Sequence, residues 1–453
     1  MKSASPIVGR VNSILDRVLP KDRVRSVGLN FLWGILFLYP VLFAILNGRQ
    51  TYSAYGGEVS PLQAPLSLVA HATVLACCAL LLLRLGLPDV VRGRWSMRRA
   101  ILVYLGAQFV VIVVHTSWDA LPGWLVVFLV LLVVVAGYEP VDQVERRIRW
   151  WLRALILGSL VVMVVIPDWA LVPPEHTSRT LIGTKLRLIG LTDSSNYIGL
   201  LACISFALEA GAKKRRVRFS ALFAVAALVA CTLSQSRIPL LAIALVVVVY
   251  LAHRFVPRAF NRPRISWLMG LSFAGALAVP IAVATSVFLN SQDSIERFTT
   301  GRLSIWVWTW QEFKQKPFFG QGHWVLTPEY WKTHLGRGYD QEPLPNAHNQ
   351  VLETLVRGGL LEGLGLLLMV VALLVLVKQA RLRPYGMTVL FLGVVTFSQF
   401  IFGTPFRTAG ITWNLVQLAA LVAIGVAAVR DEPVRPSGLT ITDDVHETEE
   451  SSA

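Results

Sequence analysis

The sequence predicts an all-α polytopic membrane protein of about 12 transmembrane helices, with one large loop outside the membrane between spans 9 and 10. Three observations carry that reading. Hydrophobic residues make up 55% of the 453-residue chain and charged residues only 15%. Apolar runs of about 17–25 residues recur from end to end, each long enough to cross a hydrocarbon layer of roughly 30 Å as a helix. Basic residues gather in alternate connections, the bias that orients helical membrane proteins.

Taken in order, the spans fall near 28–47, 65–87, 99–117, 121–138, 150–167, 194–211, 219–235, 238–252, 267–289, 350–377, 386–403 and 410–429. The pair flanking "SQSR" is the least regular, because Arg237 and Pro239 interrupt one long apolar run. With the N-terminus inside, the inward connections hold "RGRWSMRR", "ERRIRW", "KKRRVR", "HRFVPRAFNRPR" and "KQARLR". The short outward connections carry few Lys or Arg. This asymmetry accounts for the net charge of +15 without nucleic acid as a partner. It also suits contact with the anionic lipids of an inner leaflet.

Residues 1–26 are basic and weakly amphipathic, and read as a cytoplasmic surface segment. They do not read as a cleavable signal peptide, since the apolar run that follows is of span length and lacks a small-x-small exit. Spans 1–9 then occupy residues 27–289 and spans 10–12 residues 350–429. The acidic stretch 430–453 reads as a disordered cytoplasmic tail. Cys77, Cys78, Cys203 and Cys231 all fall within spans and read as small hydrophobes, not as disulfide or zinc ligands.

The outward loop, residues 290–349, is too long to be a mere connector. Its first part predicts a helix with Trp306, Trp310 and Phe313 on one face and Trp308 off that stripe. "KPFFGQG" then breaks the helix with Pro and Gly. So rich an aromatic content argues against disorder.

Four polar features fall on the outward side. They are "TDSSN" (192–196) before span 6, "SQSR" ending at Arg237, "TGRLSIW" with Arg302, and "AHN" with His348 and Asn349. Each has an ordinary structural reading. Arg302 suits a solvated loop, Asp193, Ser194 and Ser195 suit a helix cap, and His348 suits a cap on span 10. Glu353 and Arg357 form a favourable i, i+4 pair. Arg237 is harder to absorb, for it stands in a short outward turn beside an apolar span, against the positive-inside bias. Placing Arg in hydrocarbon costs roughly 2.5–3.5 kcal/mol on insertion scales. Glu362 lies deeper in span 10, where a carboxylate must face other helices.

Read together, the residues suit chemistry on a lipid with a phosphate-rich head. Two guanidiniums can clamp phosphate oxygens through paired donors. A histidine beside them can serve as a general base, and neighbouring positive charge keeps its ring neutral. The pattern asks for no metal and no cofactor, as it offers no metal-ligand spacing, nucleotide loop or Ser or Cys nucleophile motif.

At this point the chain resembles the O-antigen ligase and O-antigen polymerase superfamily, bacterial inner-membrane transferases of lipid-linked glycans. The stretches that carry the resemblance are "GLTDSSNYIGLL", "LSQSRIPLLA", "GRLSIWVWTWQEFKQKPFFGQG" and "HNQVLETLVRGGLLEG", in that order. It implies a GT-C-like fold with its active site facing the periplasm. It implies a role for Arg237 and Arg302 on an undecaprenyl diphosphate head group, and for His348 in activating the acceptor. Asn349, Gly359, Asp193 and Asn196 are implied as supporting residues, the last two matching less strictly. Three residues beyond Gly359 the family commonly has a small residue, whereas this chain has Glu362. The partners implied are the undecaprenyl diphosphate-linked glycan, a lipid A–core or glycan acceptor, and membrane lipids. A reading from another class, a transporter of anionic or lipid-linked solutes, would also use outward arginines. Against it, no internal repeat or pair of matching broken spans is visible.

Overall fold

The computed structural model describes residues 20–46, 61–86, 97–172, 186–211, 217–255, 274–275, 278, 302–326, 330, 347–381, 383–400, 403–407 and 410–431, with backbone only at 217–218 and 302–304. Twelve helices of more than ten residues are described: α1 (Lys21–Leu46), α2 (Gln63–Leu85), α3 (Met97–Val114), α4 (Leu121–Ala136), α5 (Val141–Val165), α6 (Ser195–Ala210), α7 (Val217–Ser234), α8 (Arg237–Phe255), α9 (Arg302–Gln315), α10 (Gln350–Ala380), α11 (Gly386–Ser398) and α12 (Trp413–Arg430). Among the described residues the only other pairing of extended chain is a single bridge, Leu171 to Leu188.

Eight apolar helices are long enough to cross a membrane, and α6, α7 and α11 are shorter apolar helices. These eleven answer to eleven of the expected spans, so the chain is a multi-pass helical membrane protein. The expected ninth span, 267–289, lies outside the described residues apart from helical positions at 274, 275 and 278. So do residues 1–19, the tail beyond Asp431 and most of the 290–349 loop.

Several boundaries differ from expectation. Helix α1 begins at Lys21, so the last residues of the expected surface segment are its first turn. Helix α5 begins at Val141, directly after an extended Pro140, so "ERRIRW" is helical and not a connection. Its arginines are taken by neighbouring elements, Arg147 donating to Glu139 and Arg149 to the Leu208 carbonyl at 3.0 Å. Arg149 and Arg153 are buried, and Arg153 donates to both oxygens of Glu209 at the end of α6, at 2.7 and 2.8 Å. Such a bidentate pair needs Arg153 on a fixed helical face. The break at "SQSR" is real: α7 ends at Ser234, Gln235 turns with φ 53°, and α8 starts at Arg237 with Pro239 in its first turn, where no hydrogen bond is lost.

Helix α12 forms the centre, buried along nearly its whole length and packed against α1, α4, α5, α6, α10 and α11. Around the rim, Leu68, Leu83, Val164, Phe219 and Val248 stand exposed, as side chains facing acyl chains would. Contacts sort the helix ends into two sets. At one end Ser236 meets Asn196, Phe406 meets Gln350 and His115 meets Phe319. At the other Arg153 meets Glu209, Val141 meets Asp431 and Thr388 meets Gly211. This is the alternation a serpentine of antiparallel spans requires.

Candidate functional site

The site is built where α10 starts. His348 turns the chain with φ 48°, a left-handed conformation uncommon outside glycine. Asn349, next along, caps the helix: its side-chain oxygen accepts from the Leu352 N–H at 2.9 Å. The capping role that sequence alone allowed His348 therefore falls to Asn349, which is fully buried, while His348 is only partly so. Ala347, the residue before His348, is held at both its backbone polar groups. The Ala347 N–H donates to Glu353 Oε2 at 3.2 Å, and the Ala347 carbonyl accepts from Trp306 Nε1 at 3.0 Å. Gln350 ties the same turn to the α11–α12 loop, donating its N–H to Phe400 O at 3.1 Å and accepting from Phe406 N–H at 2.8 Å. Backbone strain of this kind persists only where its surroundings over-determine it.

The α9 helix supplies one wall. Trp306 is buried against Ala347 and Leu352, and Phe313 and Trp310 pack on the main core, as the predicted stripe requires. Trp308, expected off the stripe, is also buried, in a second cluster with Val325, Leu326, Tyr330 and Val356. The segment after α9 folds back and covers it, which a single helical face could not reveal. Arg302 stands one turn before Trp306 on α9, its side chain outside the described residues.

A second element is the joint in α10. Gly359 has φ 63° and ψ −156°, so the helix is broken there and resumes. The segment Pro317–Gly322 docks into the break. Leu360 N–H donates to Pro317 O at 2.7 Å and Leu361 N–H to Phe318 O at 3.2 Å. In return Gln321 N–H donates to Val356 O at 2.7 Å and Gly322 N–H to Arg357 O at 2.9 Å. Four backbone groups freed by the kink are thus satisfied by protein, which a broken helix at membrane depth requires. This gives "KPFFGQG" and Gly359 one shared purpose. Just beyond, Glu362 is buried, accepts from Gln108 Nε2 at 2.8 Å, and folds over Gly358, where a Cβ would lie 2.2 Å from its Oε2.

The other predicted residues lie at the same end. Asn196 Oδ1 accepts from the Ser236 hydroxyl at 2.5 Å, joining "TDSSN" to "SQSR". Ser194 caps α6, accepting from Asn196 N–H at 3.2 Å, so the structural reading of that serine is correct. Arg237 is exposed at the first position of α8. A cation there opposes the helix dipole, whereas an anion would meet both the dipole and the guanidinium. Asp193 lies beside the Trp413 indole, and burial pushes its carboxyl up to about 6. Tyr197 lies within electrostatic reach of Asp193, Arg407 and Glu353, so the start of α6 borders the His348 turn.

Two residues escaped the sequence reading. Arg407, in the α11–α12 loop, approaches Glu353 with its Nε 3.7 Å from Oε1. Arg357 holds the same oxygen at 3.2 Å, so the i, i+4 pair is really a triad with Arg407. His323, in the docked segment, is buried. Burial, with the charges of Arg357, Arg407 and His115, holds its ring well below the usual histidine range. Arg407 carried a legible signal, an arginine in a short outward connection, the same anomaly that singled out Arg237.

The fold and site together define a multi-pass helical membrane protein with a strained histidine and several arginines gathered at one end of the bundle. Residues 222–364 match the profile of the family described as O-antigen ligase. That match supports the resemblance to the O-antigen ligase and polymerase superfamily read from the motifs. It includes Arg237, Arg302, His348, Asn349 and Gly359, and leaves Asp193, Asn196 and Arg407 outside. No curated protein matches the chain.

Proposed function

We propose that the chain transfers a glycan from undecaprenyl diphosphate to an acceptor sugar hydroxyl of lipid A–core, at the periplasmic face of a bacterial inner membrane. The observation that carries this reading is the His348 turn. Asn349 takes the capping role and Glu353 and Trp306 hold Ala347, so His348 is set, partly exposed and with φ 48°, at a fixed place at the head of α10. In the proposed reaction His348 takes the proton of the acceptor hydroxyl as its oxygen attacks the anomeric carbon. The bond from that carbon to the diphosphate breaks, and the lipid diphosphate leaves with the electron pair. Arg237 and Arg302 stabilise the charge that develops on it. Direct displacement of this kind inverts the anomeric centre. Asp193, Asn196 and Gly359 support the surrounding elements.

The test is transfer by purified protein, given lipid diphosphate-linked glycan and a lipid A–core acceptor, with no ion gradient. Product is expected from the wild type, which a transporter would not give. His348→Gln should lose about 10²–10⁴-fold in turnover while donor binding survives. Near-normal turnover in that variant would remove His348 as the base. Gel analysis after gene deletion separates the two transfer reactions. Uncapped core with lipid-linked polymer retained is expected for a ligase, whereas core bearing a single repeat would mean a polymerase.

A further inference from the structure

The segment docked at the Gly359 joint turns large apolar side chains outward. Phe318 is 69% exposed, Phe319 45% and Trp324 42%. Their backbone is nonetheless held on two sides. Leu361 N–H donates to Phe318 O at 3.2 Å, and His115 Nε2 bonds Phe319 O at 3.1 Å. Aromatic rings presented together from a tethered segment mark an interaction surface.

Two helices fix the height of that surface. From Leu360 to Val377, α10 is apolar but for Glu362, and at 1.5 Å per residue this run spans about 27 Å, close to the roughly 30 Å of a hydrocarbon layer. Lys378 closes the run at one end, and Arg357 and Glu353 stand just beyond the other, so the joint falls at the edge of the layer. Helix α3 gives the same height independently. Its apolar run ends at Val114, and the next residue, His115, is the one that reaches Phe319. The two helices pack together, Gly365 lying against Tyr104. Leu360, Leu364, Leu367 and Val371 are exposed along one face of α10, and Val110 and Val114 are exposed on α3. Phe318 and Phe319 continue that lipid-facing surface past the joint, and this continuity names acyl chains as what covers them. The charges of the stretch agree. Lys314 and Lys316 are exposed, while the one acid between residues 302 and 326, Glu312, is buried and accepts from Gln321 and Tyr330. Lysine stems can reach headgroup phosphates while the rings lie below them, and tryptophan favours that boundary.

We infer that residues 314–324 are an interfacial element, with Phe318, Phe319 and Trp324 inserted among the phospholipids of the leaflet at the His348 end and Lys314 and Lys316 at their phosphates. This holds whether or not the chain transfers glycan. The experiment places a nitroxide on full-length Phe318→Cys, Phe319→Cys, Leu364→Cys and Gln311→Cys proteins in phosphatidylcholine nanodiscs. Access to oxygen, which concentrates in lipid, is compared with access to a water-soluble nickel complex. The wild type, whose cysteines are buried or half-buried, gives the blank. Labels at 318 and 319 should favour oxygen as the lipid-facing 364 label does, and the label at exposed 311 should favour nickel. Nickel access at 318 and 319 equal to that at 311 would overturn the inference, for the segment would then stand in water. Labels shielded from both reagents would overturn it too, since protein and not lipid would then cover the rings. A second measurement needs no label. In Phe318→Ser/Phe319→Ser protein, hydrogen exchange of residues 317–322 in nanodiscs should quicken tenfold or more, and an unchanged rate would show that the bilayer does not hold the segment.

Discussion

Replacing Gly359 by alanine tests the joint in α10. At φ 63° and ψ −156° the residue occupies a region open essentially to glycine alone. Forcing an L-residue there costs about 1–3 kcal/mol. The added Cβ would also lie 2.4 Å from both the carbonyl carbon and oxygen of Phe318, and 2.6 Å from Pro317 O. These are backbone atoms and cannot swing aside, so the segment must withdraw. Its withdrawal breaks the bonds from Leu360 N–H to Pro317 O and from Leu361 N–H to Phe318 O. At about 1 kcal/mol each, the total destabilisation comes to about 3–5 kcal/mol. Gly363→Ala is the control. Its Cβ would meet only Leu355 Cδ2, at 2.9 Å, the end of a flexible side chain, and alanine is the better helix former. The assay is the thermal midpoint in detergent, together with hydrogen exchange of residues 317–322, which should accelerate in Gly359→Ala alone. If Gly359→Ala matches the wild type or gains stability, α10 prefers to be straight and the docked segment does not depend on the break.

Two further outcomes follow from buried charge. Glu209→Ala leaves Arg153 without the carboxylate that takes both its bonds, so stability should fall by about 3–5 kcal/mol, and a variant as stable as the wild type in thermal unfolding would show the pair to be dispensable. The Asp193 carboxyl is raised from 3.8 to about 6 in the folded chain, so the folded state binds the extra proton and stability is lost as pH rises from about 4 to 6, then stays level. Asp193→Asn should accordingly match the wild type near pH 4 and exceed it by about 2 kcal/mol at pH 7.5; melting curves that run parallel across that range would refute the assignment.

Most of the helix plan could be read from composition, because length and hydropathy alone decide whether a helix can span. The ends could not. "ERRIRW" looks like an inward connection until its arginines are seen to be taken, Arg147 by Glu139 and Arg149 by the Leu208 carbonyl some sixty residues later; charge counting sees the arginines and not their partners. The site divides in the same way. His348, Arg237 and Asn349 were visible as polar residues in places that apolar chains avoid. Which of His348 and Asn349 caps α10 was not visible, since both can stand at a helix start and only the backbone angles separate them. Trp308 does lie off the predicted stripe, but its burial was not legible, because a helical wheel shows one buried face whereas the chain folds back to cover a second. His323 gave little sign, as its burial comes from the docking of "KPFFGQG" into a joint that the sequence marks only with two adjacent glycines.

The joint also bears on what fixes the height of His348. Were α10 one unbroken helix, its far end, packed against α12 and α3, would set the position of its first residue. With the break at Gly359, residues 350–358 are a short helix of their own, too short to be stable alone. They are held by Glu353 with Arg357 and Arg407, by Gln350 on the α11–α12 loop, and by the docked segment after α9. The wall carrying Trp306 and the segment docked at the Gly359 joint belong to one continuous stretch of chain, residues 302–326. Any ligand that draws on that stretch or on Arg407 therefore acts on the His348 turn through direct bonds, at Ala347 N–H and Ala347 O. A rigid helix would insulate the histidine from its surroundings. A hinged one, anchored on both sides by polar contacts, couples it to them.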